Sequence, residues 1–345
     1  LLASGAWAKI RVSQSGIHQL TDAVVRQAGF SNINKVKIYG YGGNLQNEAL
    51  IAGELKKLDD LQEVPQCIVD GKHYFYAKGP VSWEDKTSIQ RIRNPYSDYG
   101  YYFITQTGEE PARMDSATFI STYFPQAEDY HSLYEKDGYS WFPGGRNLFD
   151  PTEVPLGGKQ QVAIVNQTGS SNGKLTVGVT MGVNGSVEVQ KNGVYLGTIT
   201  LQKSVTSDAS YQMAVESFAT YPLKDLSEKD TITLLPKTGG PMHLDYVAMT
   251  WEKPVPFPGF TGMVPAAQYV YGITNQDHHA DGAADMVIII PTSQKLLKQA
   301  KRLKEFHETH DGLRVTIVPA DELYNEFASG TPDANAYRRH LRMFY

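Results

Sequence analysis

The chain has one cysteine, Cys67. A nucleophilic cysteine needs a base within hydrogen-bonding reach and surroundings that favour its thiolate. Residues 64–69 read Val-Pro-Gln-Cys-Ile-Val, a short apolar strand that supplies neither. A free cysteine in that setting behaves as a small buried hydrophobe, so Cys67 is expected to be structural. The run His307-Glu-Thr-His310 has the ingredients of a zinc-peptidase helix but not its spacing. That chemistry places two histidines four residues apart so that both imidazoles reach one metal. Here they are three apart, and Asp311-Gly312 follows, as at a helix C-terminus, where cationic side chains and a glycine are favoured.

Asp277, Asp281 and Asp285, with His278 and His279 among them, form the densest group of charged and ligating side chains. Oxygen-rich loops can hold calcium, but this spacing is not that of the EF-hand loop and no bidentate glutamate closes it. The other reading is a solvated entry loop, since Asp and Gly are ordinary turn residues. Tyr39-Gly-Tyr-Gly-Gly43 lacks the following Lys-Ser/Thr of a phosphate loop and reads as a turn or a close approach of backbones. Tyr74, Phe75, Tyr76, Tyr101, Tyr102 and Phe103 could line a groove, although aromatic strands usually form core and sheet surface. Asn166 and Asn184 open tripeptides of the glycosylation type. None of these residues is assigned as catalytic, cofactor-binding or metal-ligating, and no cofactor is called for.

The elements that would position any chemistry are clearest at the C-terminal end. Residues 286–290 (Met-Val-Ile-Ile-Ile) and 314–318 (Arg-Val-Thr-Ile-Val) are short apolar runs, and between them Leu296, Leu297, Ala300, Leu303 and Phe306 recur at helical spacing. Strand, amphipathic helix, strand is a βαβ unit of a buried parallel sheet. Such a sheet needs more than two strands, so residues 281–345 are read as the incomplete front edge of a larger α/β domain.

Upstream, residues 1–130 are expected to form a β-rich module, with strands at 7–12, 36–41, 72–78 and 99–105 and a short helix capped by Thr21. Residues 131–154 read as a loop-like bridge. Residues 155–253 show short strands at regular intervals, and Asn192-Gly193 marks a tight type I′ hairpin. That pattern predicts a β-sandwich of jelly-roll type. Pro254, Pro256 and Pro258 then open a stiff linker over 254–280. The predicted fold class is multidomain and mainly β: an N-terminal β-rich module, a jelly-roll-like β-sandwich, then the first βαβ unit of an α/β domain.

The 345 residues carry 32 Lys and Arg against 37 Asp and Glu, a net charge of −5 that argues against a nucleic-acid surface. No stretch approaches the roughly 20 apolar residues of a membrane helix.

Several of these segments resemble a known family. Ala-Asp-Met-Val-Ile-Ile (284–289), Gly-Leu-Arg-Val-Thr-Ile-Val (312–318), Tyr-Asn-Glu-Phe-Ala-Ser-Gly (324–330) and Asp-Ala-Asn-Ala-Tyr-Arg-Arg (333–339) are similar to the start of the gingipain-type cysteine peptidase domain. Trp7-Ala-Lys-Ile-Arg-Val-Ser and Lys37-Ile-Tyr-Gly-Tyr-Gly-Gly43 resemble the amino-terminal region of its sortase branch, which belongs to the type IX secretion system of Bacteroidetes. The resemblance implies a caspase-like catalytic domain in which a histidine and a cysteine on later strands do the chemistry, and those strands are not in this chain. It implies cleavage of secreted cargo at the outer surface of a Gram-negative cell, with protein or peptide substrates and secretion-system or outer-membrane partners. Relatives in the family also carry structural calcium. A rival reading from another class is a non-catalytic surface binding or adhesion protein built on β-sandwich modules.

Overall fold

The structure, a computed structural model, describes residues 1–142, 147–166, 168–203 and 213–344. Residues 143–146 of the stretch read as a bridge, the middle of the Asn166 tripeptide, and residues 204–212 of the stretch read as a sandwich lie outside the described residues. The chain forms two compact units, and they interleave along the sequence. One comprises Leu1–Ser82, Ile92–Tyr123 and Pro258–Tyr345; the other comprises Trp83–Arg91 and Phe124–Phe257.

In the first unit, strand Trp7–Val12 lies inside a four-stranded sheet whose order is Gln268–Ile273, Trp7–Val12, Gly100–Gln106, Val36–Tyr39. Ala8, Ile10 and Val12 alternate inward and meet Ile38, Tyr102 and Ile104 in one apolar core. The strand Gln268–Ile273 comes from the stretch read as a linker, and it pairs antiparallel with Trp7–Val12. Thr21 accepts a hydrogen bond from Val24 N and caps helix Asp22–Gln27, which buries Val24 and Val25. The strand expected over 36–41 stops at Tyr39, because Gly40 takes a φ of 134° and turns the chain away.

The C-terminal part of this unit contains the expected βαβ pattern. Met286–Ile290 and Val315–Pro319 pair in parallel, joined through helix Leu297–Phe306. That helix buries Ala300 but leaves Leu303 and Phe306 exposed. The two following helices, Ala320–Phe327 and Asn335–Arg342, pack more closely: Leu323, Phe327 and Ala336 close over Val318, with Val287 and Ile289 beside them.

The second unit is an antiparallel β-sandwich. One sheet runs His131–Glu135, Met242–Trp251, Gly173–Met181, Val215–Leu223; the other runs Gln160–Val165, Lys229–Thr238, Gly185–Lys191, Val194–Leu201. Val177, Val179, Val187, Val189, Leu234 and Leu244 fill the space between the sheets with no exposure to solvent. At the hairpin tip Asn192 and Gly193 have φ of 50° and 81°, both left-handed as a type I′ turn requires. The stretch expected as a loop-like bridge contributes the edge strand His131–Glu135, paired with Met242–Trp251. Trp83 stacks on His131 with ring centroids 3.9 Å apart. Residues 155–253 expressed alone lack this strand and are expected to melt roughly 5–10 °C below residues 124–257, as befits a loss of about 1–2 kcal/mol in a domain of this size. Equal melting temperatures by circular dichroism would show that the strand adds nothing to the sandwich.

Candidate functional site

The polar residues of the helix Ala320–Phe327 and of the chain following it gather where the first unit's C-terminal part meets its N-terminal sheet. Ser329 and Gly330 take left-handed φ of 51° and 74° and turn the chain against residues 40–43. Ser329 Oγ accepts from Tyr41 N at 2.9 Å and Gly42 N at 3.3 Å, and donates to Tyr101 O at 3.0 Å. Thr331 Oγ1 donates to Gly42 O and accepts from Tyr101 N. A Cβ on Gly40 would stand 2.5 Å from Ser329 Oγ, so Tyr39-Gly-Tyr-Gly-Gly43 is a close backbone approach. Lys9 Nζ reaches Asn325 Oδ1 at 3.1 Å and the Gly330 carbonyl, with the Tyr101 ring 4.4 Å away. Burial brings Lys9 down to about 7, with Asp321 acting the other way. Arg339 Nη1 donates to Phe327 O at 2.8 Å and Gln46 Oε1 at 3.1 Å, and Asp333 Oδ2 accepts from Gln46 N at 3.1 Å. Asn325, Ser329, Thr331, Asp333 and Arg339 are all buried, and each hydrogen bond named here satisfies a group that would be costly to leave unpaired.

Beside this seam lies a cluster of imidazoles and carboxylates. Glu326, 5 % exposed, accepts from His278 N at 2.9 Å, His279 N at 3.2 Å, Gln276 Nε2 at 2.7 Å and His279 Nδ1 at 2.8 Å. Burial alone would raise its pKa, but the His279, Gln276 and His278 hydrogen bonds hold it down to about 2. His278 sits between two acids, with Nδ1 2.8 Å from Asp281 Oδ2 and Nε2 2.7 Å from Glu322 Oε2. Burial works against its charge, yet those two partners push it up to about 9. His340 Nε2 comes from helix Asn335–Arg342 to within 3.0 Å of the same Asp281 oxygen. That ring is fully buried, and burial lowers its pKa against the pull of Asp281.

The loop 277–285 therefore differs from a solvated entry loop. Glu326 accepts from both of its histidines, and Asp285 is bound by Arg314 at 2.7 and 2.8 Å while Asp281 meets His278 and His340. His307 and His310 both bond Asp311, and Gly312 at φ 69° ends that helix, with its N–H on His307 O. Cys67 is fully buried against Tyr74 and Phe119, and burial pushes its thiol pKa up. An alkylating reagent is expected to modify native Cys67 at least about 100-fold more slowly than the unfolded chain, given a raised pKa and a closed environment; equal rates would place the thiol at the surface. Tyr74, Phe75, Tyr102 and Phe103 are core residues, while Tyr76 stacks on Tyr123 and Tyr101 faces Lys9. Asn166 donates from Nδ2 to Ser227 O and Asp230 Oδ2, and a glycan would take the place of one of the two N–H donors, whereas Asn184 is exposed.

Comparison with known proteins finds likenesses in this region and across the chain. Residues 279–345 match the model of peptidase family C25. The whole chain shares the fold of dimeric latent PorU from Porphyromonas gingivalis, with a TM-score of 0.77 at 24% identity over 100% of this chain. It spans 40% of the length of that PorU chain. A CBM35 from Cellvibrio japonicus Abf62 is 14% identical, covering 35% of this chain and 92% of its own with a TM-score of 0.25, a likeness too slight to bear on function. No protein of curated function matches the sequence. The C25 segment includes His279, Asp281, Glu322, Glu326 and His340, so most of the imidazole–carboxylate cluster lies within it. Glu322, Asn325, Glu326, Ser329 and His340 carried no signal of their own in the sequence reading. What marks Asn325 and Glu326 is a pair of polar residues on the buried face of an amphipathic helix.

Proposed function

We propose that this chain is the N-terminal part of a gingipain-like cysteine endopeptidase of the PorU-like sortase type, with the catalytic histidine and cysteine supplied by strands beyond residue 345. The observation that carries this reading is the C25 match over residues 279–345, in a chain whose fold is shared with latent PorU. In this division residues 281–345 open the peptidase domain, and residues 1–82 and 92–123 with the strand Gln268–Ile273 form its seat. The seam at Lys9, Tyr41–Gly42, Ser329 and Arg339 fixes the first strands and helices of the catalytic domain, so that later strands add to a sheet already held in place.

In the reaction itself, the cysteine thiolate attacks the peptide carbonyl and forms a thioester as the amine leaves with a proton from the histidine. Water or an amine nucleophile then resolves the thioester. Substrates are secreted cargo proteins met at the outer surface of a Gram-negative cell, alongside components of the type IX secretion system. Self-association is proposed from the dimeric state of latent PorU. No helix among the described residues is long and apolar enough to cross a membrane.

The test is a cysteine-directed chloromethyl ketone applied to the protein extended through its downstream sequence. Rapid labelling is expected at one cysteine beyond residue 345, lost on replacing one downstream histidine, with no labelling of residues 1–345 alone. Labelling at Cys67, or no reactive cysteine in the extended protein, would contradict the proposal.

A further inference from the structure

His278, Asp281 and His340 converge on one point. Asp281 Oδ2 is 2.8 Å from His278 Nδ1 and 3.0 Å from His340 Nε2, and the three ligating atoms lie within 4.8 Å of one another. The imidazoles come from separate elements, the turn His278–Ala280 and the helix Asn335–Arg342. We propose that these three residues bind a divalent transition-metal ion of the zinc class, which ties the opening turn of the C25 segment to its last helix.

Four features support a metal rather than a simple ion-pair network. Two imidazole nitrogens and one carboxylate oxygen are a donor set suited to zinc and its neighbours, which take ligands at about 2.0–2.2 Å. Calcium instead needs six to eight oxygens, and the Asp277, Asp281 and Asp285 carboxylates do not gather. The partner a ligating imidazole requires on its other nitrogen is in place on one of the two rings: His278 Nε2 meets Glu322 Oε2 at 2.7 Å. A metal on Nδ1 leaves the proton on Nε2, facing Glu322, which fixes the tautomer and strengthens the ligand. Finally, His340 is completely buried and its Nδ1 has no hydrogen-bond partner, so Nε2 aimed at Asp281 is the ring's polar contact.

Metal entry displaces protons in balance. His278, doubly bonded to acids in the metal-free state, gives up its Nδ1 proton. A neutral His340 that begins as the Nε2–H tautomer moves that proton to Nδ1, and one that begins as the Nδ1–H tautomer releases none. Three protein ligands leave a fourth position for water, which distinguishes this site from a closed structural zinc centre. The three ligands are independent of any downstream catalytic residue, and the site goes beyond the peptidase reading.

The experiment uses the whole chain after treatment with a chelator. Cobalt(II) titration is expected to give one equivalent with the visible absorption of a four-coordinate N/O site, and zinc is expected to displace it and to raise the melting temperature of the first unit. His278→Ala is expected to abolish the cobalt spectrum, and Glu322→Gln to weaken zinc binding about 10- to 100-fold. Because His340 is buried, Asp281→Asn serves as the second ligand variant; its circular dichroism checks folding, and the same loss of binding is expected. The paired variant His307→Ala with His310→Ala is expected to bind as the wild type does. No cobalt spectrum in the wild-type chain would overturn the proposal. So would binding that survives His278→Ala, binding lost with His307 and His310, or a response to calcium in place of zinc.

Discussion

Replacing Glu326 with alanine is expected to cost the first unit about 3–5 kcal/mol, the range for removing one partner of a buried charged network. The carboxylate accepts from two backbone N–H groups, the Gln276 amide and the His279 ring, and alanine leaves all four donors without it. Glu326→Gln keeps the shape but can match fewer of those donors and should fall between alanine and the wild type. The same network sets a pH dependence in the metal-free chain. Glu326 is held at about 2, below its ordinary value of 4.5, so its contribution is present above about pH 4.5 and is lost as the pH falls towards 2. His278 is raised to about 9 from 6.5, so its contribution is complete below pH 6.5 and is lost as the pH rises through 9. That loss is on the order of 2 kcal/mol once solvent screening is allowed for. His340 acts in the opposite sense, its contribution growing as the pH rises towards 6.5. Chemical denaturation in chelator across pH 3–10 should show the first unit most stable near neutrality. A flat profile, or an alanine variant within about 1 kcal/mol of the wild type, would show that the network adds little.

Gly42→Ala is expected to be strongly damaging. Gly42 has φ of 84°, and a Cβ there would lie 2.5 Å from Lys78 O and 2.6 Å from Tyr102 OH. The left-handed backbone costs an L-residue about 1–2 kcal/mol, and overpacking adds about 1–3 kcal/mol. Gly29 is the control, because its φ is 83° and nothing lies within 4 Å of its Cβ position. Gly29→Ala should therefore show the conformational cost alone. If both variants lose the same stability in urea titrations, the close approach of residues 40–43 is not a packing constraint.

The parts of this molecule written in local periodicity were legible. The parallel strands Met286–Ile290 and Val315–Pro319 follow from apolar runs around an amphipathic helix, and the Asn192-Gly193 turn from two residues that tolerate positive φ. The edge strand His131–Glu135 was not, because only Leu133 among its five residues is aliphatic and its partner is the distant strand Met242–Trp251. The cluster was illegible for the same reason. His278 meets Glu322 44 positions away and Asp281 meets His340 59 away, so reading residues 277–285 alone made a solvated loop of a half-buried, acid-bound turn. The seam is more distant still: Lys9 and Gly330 are 321 positions apart. The runs 324–330 and 333–339 that resemble the family contain Asn325, Glu326, Ser329, Asp333 and Arg339, whereas His278, Asp281, Glu322 and His340 lie outside both.

Hydrogen exchange on the intact chain tests whether the opening of the C25 segment is folded onto the N-terminal module as one unit. Amides of helix Ala320–Phe327 are expected to exchange with the same free energy and denaturant dependence as those of strand Trp7–Val12, while the weakly packed helix Leu297–Phe306 exchanges sooner. Lys9→Ala should lower protection in both elements together. Fast exchange of Ala320–Phe327 while Trp7–Val12 stays fully protected would show the segment to be independent of the module, and the seat described here would not exist.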